Sequence, residues 1–329
     1  MLRIPVLSVL TTTLLILSLS KDATFGSDQG PSRPSTALRL MHTSSCGPCP
    51  VSMAVAGDIL FARGVGKQIA SHGADYPFDE VRSFIRGADI GFCNLECALS
   101  KRGVPQQRRF QFRADPKLAA GLRKAGFTVA SLANNHTLDF GREALLDTID
   151  SLTAAGVAPV GAGKHRDAAL QLRVVTVKGL KVGFLAYTDI VNAGTVRLDD
   201  RPTVAGVNSE DIPAQIASAK AGCDCLVVSF HWGVEYMKRP TERQRTLARA
   251  CIDNGADAVI GHHPHVLQPA VVYKGKPIIF SAGGFVWDAR VFGADKSAIY
   301  LIELGRSSAR LVKTIPVRVS QCRPIPTAP

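Results

Sequence analysis

The chain has 329 residues, of which 46% are hydrophobic and 20% are charged. This length suits one large or two ordinary domains, and the composition excludes a mostly disordered chain, a polytopic membrane protein and a coiled-coil rod. The 39 basic and 27 acidic residues leave a net charge of +12, which favours a polyanionic partner such as nucleic acid, anionic lipid or an acidic polymer.

The first 20 residues have the layout of a secretory signal. A short positive start at Met1–Arg3 precedes an apolar run, Ile4–Ser20, that contains six Ser or Thr residues. No clear small-x-small cleavage site follows, so a cleaved signal and an uncleaved anchor both stay open. The alternative is a misassigned gene start, with Met41 or Met53 as the true first residue. We predict export, with a linker at 21–50 after the signal.

From residue 51 onward, short apolar segments alternate with amphipathic ones. We predict strands at 51–56, 89–94, 127–133, 172–177, 181–187, 225–230 and 258–261, and helices at 60–72, 116–125, 141–155, 209–221 and 241–254. The remainder, 266–317, holds three or four strands and almost no helix. Alternation predicts parallel strands covered by helices, and the strand-rich end predicts a second sheet. We expect one domain at 51–318 and a C-terminal tail at 319–329.

The eight cysteines give no disulfide pairing from sequence alone. Cys46-Gly47-Pro48-Cys49 copies the thioredoxin redox tetrapeptide, but it follows a linker and runs into a strand instead of opening a helix. A linker disulfide or free thiols are therefore favoured over redox catalysis. Cys93 and Cys97 flank Glu96, and we predict that they are small buried hydrophobic residues and not thiolate ligands.

Five polar clusters stand at the carboxyl ends of predicted strands, the edge at which open α/β sheets bind ligands. They are Gly57-Asp58, Asn94-Leu95-Glu96, Asn134-Asn135-His136, His231-Trp232-Gly233 and Gly261-His262-His263-Pro264-His265. Imidazoles, carboxylates and an amide, without thiolates, form the ligand set of Zn, Mn or Fe. His263 and His265, two apart around Pro264, can each turn a ring nitrogen to a different ion. Two ions about 4 Å apart stabilise both oxygens of a displacement reaction.

These clusters resemble those of the calcineurin-like metallophosphatases and, more closely, of the CapA family of poly-γ-glutamate capsule proteins. The resemblance covers residues 52–318 and rests on five segments: AGDILFARGVG (56–66), FCNLE (92–96), SLANNHTLDFG (131–141), HWGVEY (231–236) and GHHPHVLQP (261–269). It implies an α/β fold of the metallophosphatase type, a four-layer sandwich of two mixed β-sheets flanked by helices. It also implies a role in poly-γ-glutamate or capsule production.

The resemblance implies one or two divalent ions, of Mn, Zn or Fe, and six protein ligands: Asp58, Glu96, Asn135, His231, His263 and His265. Asp58 and His265 are assigned to the first ion by this resemblance. The second ion is assigned to Asn135, His231 and His263. Glu96 is the carboxylate that bridges the two ions, where metallophosphatases more usually have Asp.

His136 matches the phosphate-facing histidine of the family, a general acid or transition-state stabiliser, and Asp139 is placed to orient it. His262 ranks below its neighbours, with a backbone carbonyl as its expected partner. Two departures stand out. Leu60 replaces the histidine of the Asp-x-His motif, which leaves the first ion one ligand short, and Gly284 replaces an asparagine that CapA-like chains usually carry.

A basic segment follows the Glu96 cluster. It contains eight Lys or Arg residues, at positions 101, 102, 108, 109, 113, 117, 123 and 124, against the single acid Asp115. Two interpretations stay open for this segment: a rim that attracts an anionic substrate, or a solvated basic face. Because no nucleic-acid-binding motif accompanies it, nucleic acid is not expected as a partner.

Two functions follow from these patterns. The first is an exported metal-dependent hydrolase that attacks a phosphoester, or an amide in an anionic polymer, with the help of His136. The second is a non-catalytic assembly factor that holds an acidic surface polymer while membrane-bound synthase subunits do the chemistry. Leu60 favours the second function, whereas the intact pair of His136 and Asp139 favours the first.

Overall fold

The computed structural model describes residues 50–106, 109–190, 200–207, 212–288, 291 and 293–328. The predicted signal at 1–20 and the predicted linker, up to residue 49, lie outside these residues, as do Cys46 and Cys49. In this part of the chain, no helix has both the length and the apolar character needed to cross a membrane.

The first half of the described chain alternates strands and helices, as predicted. Its strands are β1 (Val51–Ile59), β2 (Ile90–Leu95), β3 (Ala98–Leu99), β4 (Arg113–Ala114), β5 (Val129–Ser131), β6 (Ala158–Val160) and β7 (Ala162–Gly163). Its helices are α1 (Arg63–His72), α2 (Arg82–Arg86), α3 (Leu118–Ala125), α4 (Gly141–Ala154) and α5 (Arg166–Leu170), with a 3₁₀ helix at Tyr76–Phe78. The long predicted elements are confirmed, and the additional ones are all five residues or shorter.

The second half contains two helices, α6 (Ile212–Lys220) and α7 (Glu242–Asp253), and is otherwise rich in strands. These are β8 (Arg173–Val177), β9 (Leu180–Thr188), β10 (Thr203–Val204), β11 (Cys225–His231), β12 (Ala258–His262), β13 (Leu267–Tyr273), β14 (Lys276–Ala282), β15 (Gly284–Val286), β16 (Lys296–Gly305), β17 (Ser308–Ser320) and β18 (Arg323–Pro326). A capping box formed by Thr241 and Gln244 begins α7, which satisfies orphan backbone donors of its first turn.

The strands form two large mixed sheets. The eight-stranded sheet has the order β18-β17-β16-β1-β2-β5-β6, with β15 paired to the end of β1. The six-stranded sheet has the order β13-β14-β12-β11-β9-β8. In each sheet the central strands run parallel. Antiparallel strands are added at both edges of the six-stranded sheet and at the β16–β18 edge of the eight-stranded sheet, whose other edge strand, β6, is parallel to β5. Strand pairs β3–β4 and β7–β10 lie outside them.

Most buried side chains form three hydrophobic layers. Side chains that alternate along β1 belong to two of these layers, on opposite faces of the eight-stranded sheet. Met53 and Val55 point between the two sheets, whereas Ala54 and Ala56 point toward the helices α1 to α4. The third layer joins the six-stranded sheet to α6 and α7. Helices, sheet, sheet and helices therefore stack in four layers, which confirms the predicted fold class.

The predicted C-terminal tail at 319–329 is wrong in part. Strand β17 continues to Ser320, and β18 pairs antiparallel with it, so residues up to Pro326 extend the eight-stranded sheet. The two prolines of β18 argued against a strand, but this strand lies at the sheet edge, where prolines are tolerated. Strand β15 was also missed, because three residues are too few to show an alternation.

Candidate metal centre

The carboxyl ends of β1, β2 and β5 in one sheet face those of β11 and β12 in the other. Parallel strands end at the same edge of their sheet, so the polar residues that follow them meet there. The structure brings together all six predicted ligands: Asp58, Glu96, Asn135, His231, His263 and His265. Neighbouring polar atoms within this group lie 2.8 to 3.7 Å apart. Asn135 is half-buried and the other five are buried.

The acidic side of the site is held by Asn94, which belongs to the same polar cluster as Glu96. Its Nδ2 donates to Asp58 Oδ1 at 2.9 Å and lies 3.4 Å from Glu96 Oε2. Asn134 Nδ2 donates to Asn94 Oδ1 at 3.1 Å and to the Leu95 carbonyl at 2.8 Å. A chain of amides therefore fixes both carboxylates before any ligand arrives.

The imidazole side is equally crowded. His231 Nε2 lies 2.8 Å from Asn135 Oδ1 and 3.2 Å from His263 Nδ1. His265 Nδ1 lies 3.0 Å from Asp58 Oδ2. Two nitrogen ligands of a tetrahedral zinc ion lie about 3.3 Å apart at the usual zinc–nitrogen distance. The distance between the ring nitrogens of His231 and His263 is close to this value.

Glu96 Oε1 tests whether these residues fit a metal. This oxygen is buried and has no hydrogen-bond partner within the described part of the chain. It lies 3.6 Å from His231 Nε2 and 3.7 Å from His265 Nε2, between the two sheets. A buried, unpartnered carboxylate oxygen is costly in a protein unless a cation or donor compensates it. The residues present therefore fit a divalent ion at this oxygen.

The candidate ligands fall into two overlapping groups. Asp58, Glu96 and His231 form one, and Glu96, His263 and His265 the other, with ligand atoms within 4.8 Å of one another in each. Glu96 belongs to both groups, as a bridging carboxylate would. The groups divide the imidazoles differently from the sequence prediction, which assigned His231 and His263 to the same ion.

Backbone strain marks the same region. Nine described residues other than glycine have positive φ, and five of them lie in the tight turns of β-hairpins: Lys178, Lys274, Ser307, Gln321 and Cys322. The other four surround the metal centre: Arg63 (59°), Tyr236 (62°), His263 (96°) and His265 (55°). Such conformations each cost on the order of 1–3 kcal/mol and persist where the surrounding structure enforces them.

Burial sets the charges of the metal-free site. It lowers the pKa of His263 from 6.5 to about 3, and it lowers the pKa of His231, in both cases with help from a neighbouring imidazole. Both rings are therefore neutral at physiological pH, the form that binds metal. Burial also raises the pKa of Glu96, to which the Asp58 charge adds. For Asp58, the contacts with His262 and His265 outweigh burial and hold the pKa well below its usual value.

His136 and Asp139 form a pair beside the ligands. His136 Nδ1 lies 2.7 Å from Asp139 Oδ2, which also accepts a hydrogen bond from the Phe112 backbone N–H at 2.8 Å. The Phe112 ring packs on the imidazole with ring centroids 4.2 Å apart. An ionised carboxylate only accepts hydrogen bonds, so this contact keeps a proton on Nδ1 of His136.

Two departures from the family pattern acquire a structural meaning. Leu60 is buried in the core between the eight-stranded sheet and its helices, so it gives the site no ligand. Gly284 leaves room for a neighbour: a Cβ at this position would lie 2.8 Å from Cγ of Trp287. The indole fills the space of the missing side chain and stacks on His265, with ring centroids 4.0 Å apart.

Cys93 and Cys97 are fully buried in the same core as Leu60. Burial raises the pKa of the Cys93 thiol and raises that of Cys97 to about 12. Both therefore stay protonated in the metal-free protein, in agreement with their prediction as small core residues. Neither belongs to a candidate metal group.

Much of the basic segment is neutralised locally. Lys101 pairs with Asp115 at 3.5 Å, Arg102 pairs with Asp147, and Lys124 pairs with Asp75. Arg113 lies over the ring of Phe140, 4.2 Å from its centroid. Arg108 lies outside the described residues. These contacts favour the interpretation of the segment as a solvated, internally paired face.

Comparisons with known proteins identify the family of this chain. Residues 52–289 match the model of the family described as "Bacterial capsule synthesis protein PGA_cap". The chain is 32% identical over 284 residues to "Capsule biosynthesis protein CapA" of Bacillus anthracis, with 84% of this chain and 69% of that protein covered. This chain belongs to the PGA_cap family. The family match spans all six candidate ligands as well as His136 and Asp139, and it ends before β16.

Two further similarities accompany the PGA_cap assignment. A "probable polyglutamine synthesis accessory protein" of Mycobacterium tuberculosis H37Rv is 31% identical over 270 residues, with 75% of this chain and 71% of that protein covered. Among solved structures, the "5'-nucleotidase precursor" of Thermus thermophilus aligns with a TM-score of 0.47 and 16% identity, over 84% of this chain and 54% of that one.

Sequence reasoning missed four residues that border the centre in this PGA_cap chain. Trp287 stacks on His265, and the Tyr236 ring lies 6.0 Å from the same imidazole. Arg63 lies with its guanidinium near the Phe112 ring. His262, expected to contact a backbone carbonyl, instead has Nδ1 3.3 Å from Asp58 Oδ1, without hydrogen-bond geometry. Positive φ marks Arg63 and Tyr236, but no sequence pattern shows it.

Proposed function

We propose that this chain is an exported, divalent-metal-dependent hydrolase of the phosphoesterase type that acts in capsule or poly-γ-glutamate production. The observation that carries the proposal is Glu96 Oε1, a buried oxygen without a described hydrogen-bond partner that lies between His231 and His265. Neutral imidazoles and the ionised Asp58 carboxylate around this oxygen suit Mn, Zn or Fe more than a purely structural polar cluster.

The residues that would hold the ions are the six predicted ligands. Glu96 belongs to both geometric groups and so supports the bridging position. The amide of Asn94 and the strained turn around Pro264 hold these side chains in place without metal. When bound, divalent ions supply Lewis-acid polarisation of the reacting oxygen atoms.

His136 is the residue proposed to move a proton. Its Nδ1 is engaged by Asp139, so Nε2 is the atom at which it takes or gives a proton. The side chain is 10% exposed, which gives it access to a substrate while most bulk water is excluded. Asp139 is a positioning residue in this scheme, since it fixes the ring and its tautomer. Such proton transfer typically contributes about 10²–10⁴-fold to a rate.

The test begins with the metal content of the full chain by mass spectrometry, followed by a phosphodiesterase assay with added Mn²⁺. We expect bound metal and turnover, and a loss of about 10²–10⁴-fold in kcat for His136→Ala with unchanged metal content. His72→Ala is the matched control, because His72 is exposed and stacks on Tyr76 at the opposite end of α1 from Arg63. A wild-type protein that takes up no metal would refute the proposal.

A second function is favoured by one observation. Leu60 leaves the first ion with fewer ligands, which suits a polymer-holding subunit that has no catalytic step. The M. tuberculosis relative bears the name of an accessory protein, which agrees with this alternative. Metal uptake and binding of poly-γ-glutamate without any turnover, equal in wild type and His136→Ala, would support it over the hydrolase.

Export and partners complete the proposal. The positive start and apolar run within residues 1–20 support export as a secreted or membrane-anchored protein. The net charge of +12 supports an anionic polymer or phosphoester as substrate, with membrane-bound synthase subunits as proposed partners. Mass spectrometry of the mature N-terminus after cell fractionation distinguishes a cleaved signal from an anchor, and an intact cytoplasmic chain would contradict export.

A further inference from the structure

Arg63 stands out among the residues around the metal centre. It is the first residue of α1, it has a φ of 59°, and it comes directly before Gly64. An arginine in the left-handed region is strained, and a glycine at position 63 would adopt the same backbone without that strain. Its side chain is 27% exposed, so it is neither a core residue nor a freely moving surface residue. The fold holds it in an unfavourable conformation at a defined place.

Two aromatic rings and a carboxylate contact the guanidinium. Arg63 Cζ lies 5.7 Å from the Phe110 ring centroid. Arg63 Cζ lies 5.8 Å from the Phe112 ring centroid, and that ring packs on His136. Arg63 Nε lies 3.6 Å from Asp288 Oδ2, and the preceding residue, Trp287, stacks on His265. Phe112 alone therefore separates the guanidinium from His136, whereas Asp288 and Trp287 lie between it and the candidate ligand His265.

Tyr236 also borders the candidate ligands. Its ring lies 6.0 Å from that of His265, and 38% of the residue is exposed. Burial and the Glu235 charge raise the pKa of Tyr236, while the charge of Arg63 acts in the opposite sense. Tyr236 has positive φ, as Arg63 does, so a second strained residue lies beside His265.

Asp288 shows how the guanidinium is fixed. Gly64 N donates to Asp288 Oδ2 at 3.3 Å, and a Cβ at Gly64 would lie 2.8 Å from Asp288 Cγ. The absence of a side chain at position 64 allows the carboxylate to approach the turn. Asp288 therefore contacts both the backbone of the turn and Nε of Arg63, an edge of the guanidinium fork. A guanidinium that is held through Nε can still donate hydrogen bonds to an oxyanion from its terminal N–H groups.

We propose that Arg63 forms an oxyanion-binding subsite at the mouth of the metal centre, where its guanidinium receives a carboxylate or phosphate group of the substrate. The inference deepens the proposed function and rests on it for the neighbouring chemistry. A bound anionic group beside His136 orients the scissile bond toward the candidate ligands. The subsite therefore selects substrates that carry a negative charge next to the bond that is hydrolysed.

The test measures binding of two probes to the Mn²⁺-treated full chain by calorimetry: inorganic phosphate and a short γ-linked glutamate oligomer. Arg63→Gln should weaken the affinity for at least one probe about 10- to 100-fold, which is the loss typical of a hydrogen bond to a charged group. Arg63→Lys keeps the charge but loses the planar guanidinium, and its affinity for the probe should lie between those of Arg63→Gln and wild type. Loss of phosphate binding alone identifies a phosphate group, and loss of oligomer binding alone identifies a carboxylate.

Two controls separate the subsite from charge and folding. Arg310→Gln removes the same charge from an arginine that pairs with Glu303 on the exposed β16–β17 hairpin, and it should leave both affinities unchanged. Arg63→Gly should raise the midpoint of thermal unfolding, because it relieves the φ of 59°, and yet weaken anion binding as Arg63→Gln does. A residue kept only for structure would not show these opposite changes.

The outcomes distinguish the two proposals. Equal affinities in Arg63→Gln and wild type, an equal loss in Arg310→Gln, or no binding of either probe to wild type would overturn the subsite. Metal content measured on the same samples tests the hydrolase proposal separately. A chain that takes up no metal but loses anion binding in Arg63→Gln would retain the subsite and refute the hydrolase.

Discussion

The two sheets supply different chemistry to the same site. The eight-stranded sheet gives the carboxylates and the amide, from Asp58, Glu96 and Asn135, together with His136. The six-stranded sheet gives the imidazoles, from His231 and the segment His262–His265. Carboxylates from one sheet and imidazoles from the other form the candidate metal groups only where the two sheets meet. The packing between the sheets is therefore part of the site, even where it lies far from any ligand.

The largest expected effect comes from breaking that packing. Phe92 and Phe184, one from each sheet, stack with ring centroids 5.9 Å apart in the layer between the sheets. Phe184→Ala should lower the free energy of unfolding by about 3–5 kcal/mol and should also weaken Mn²⁺ binding. Denaturant unfolding and metal titration measure the two changes. Phe127→Ala, in the core under α3, is the control: a similar stability loss with equal loss of metal affinity would show that the sheet interface has no special role.

Replacing Glu96 tests the candidate ligand that the two metal groups share. Glu96→Gln should weaken metal binding at least about 100-fold, more than loss of a residue that only supports a ligand. The stability of the metal-free protein should not fall. Burial and the Asp58 charge raise the pKa of Glu96, so a neutral amide at this position should keep or raise the free energy of unfolding when no metal is bound. Calorimetric titration and thermal unfolding with and without chelator check both statements. A lower stability of the metal-free variant would contradict the assignment of Oε1 to a cation.

His263 and His265, the two imidazoles around Pro264, should contribute differently to metal binding. We expect metal to load in two steps, a tight one that uses His231 and His263 and a weaker one that uses Asp58 and His265. His263→Ala should abolish the tight step, and His265→Ala only the weak one. Titration of the metal-stripped protein decides between this partition and the alternative groups found in the structure. A tight step that survives His263→Ala would favour those groups, or a single ion.

The smallest expected effect lies at the opposite edge of the sheets. Lys178, in the turn before β9, donates to Asp89 Oδ2 at 2.8 Å, and Asp89 also accepts hydrogen bonds from Ser52 on β1. Burial opposes ionisation of Asp89, but these donors outweigh it and lower its pKa. Because Lys178 is 45% exposed, Asp89→Asn should cost only about 0.2–1 kcal/mol at neutral pH.

The pH dependence of this pair has a definite sign. A carboxyl whose pKa is depressed by folding stabilises the protein above its unfolded pKa, near 3.9, and loses that contribution as the pH falls through the folded value. The difference between wild type and Asp89→Asn should therefore vanish in acid and shrink in high salt. Denaturant unfolding at several pH values measures it, and metal affinity should not change in the variant.

Sequence predicted the elements of the fold because strong alternation and helix periodicity mark them. It also predicted that the five polar clusters converge, because His, Asp, Glu and Asn residues collect after parallel strands. It could not show Arg63 or Trp287 at the centre, since their positions depend on the turn before α1 and on the short strand β15. The filling of the space beside Gly284 by Trp287, three residues later, is likewise a tertiary event that no local pattern records.

Strand β18 bears on how these molecules behave toward one another in solution. The Thr327 N–H donates inward to the Pro316 carbonyl, so by the alternation of a strand the backbone nitrogens of Pro324 and Pro326 face outward. Proline nitrogens carry no hydrogen, and the outer rim of the eight-stranded sheet therefore lacks donors at two successive outward positions. A neighbouring chain finds no complete ladder to extend there, which protects the protein from aggregating through its own sheet edge.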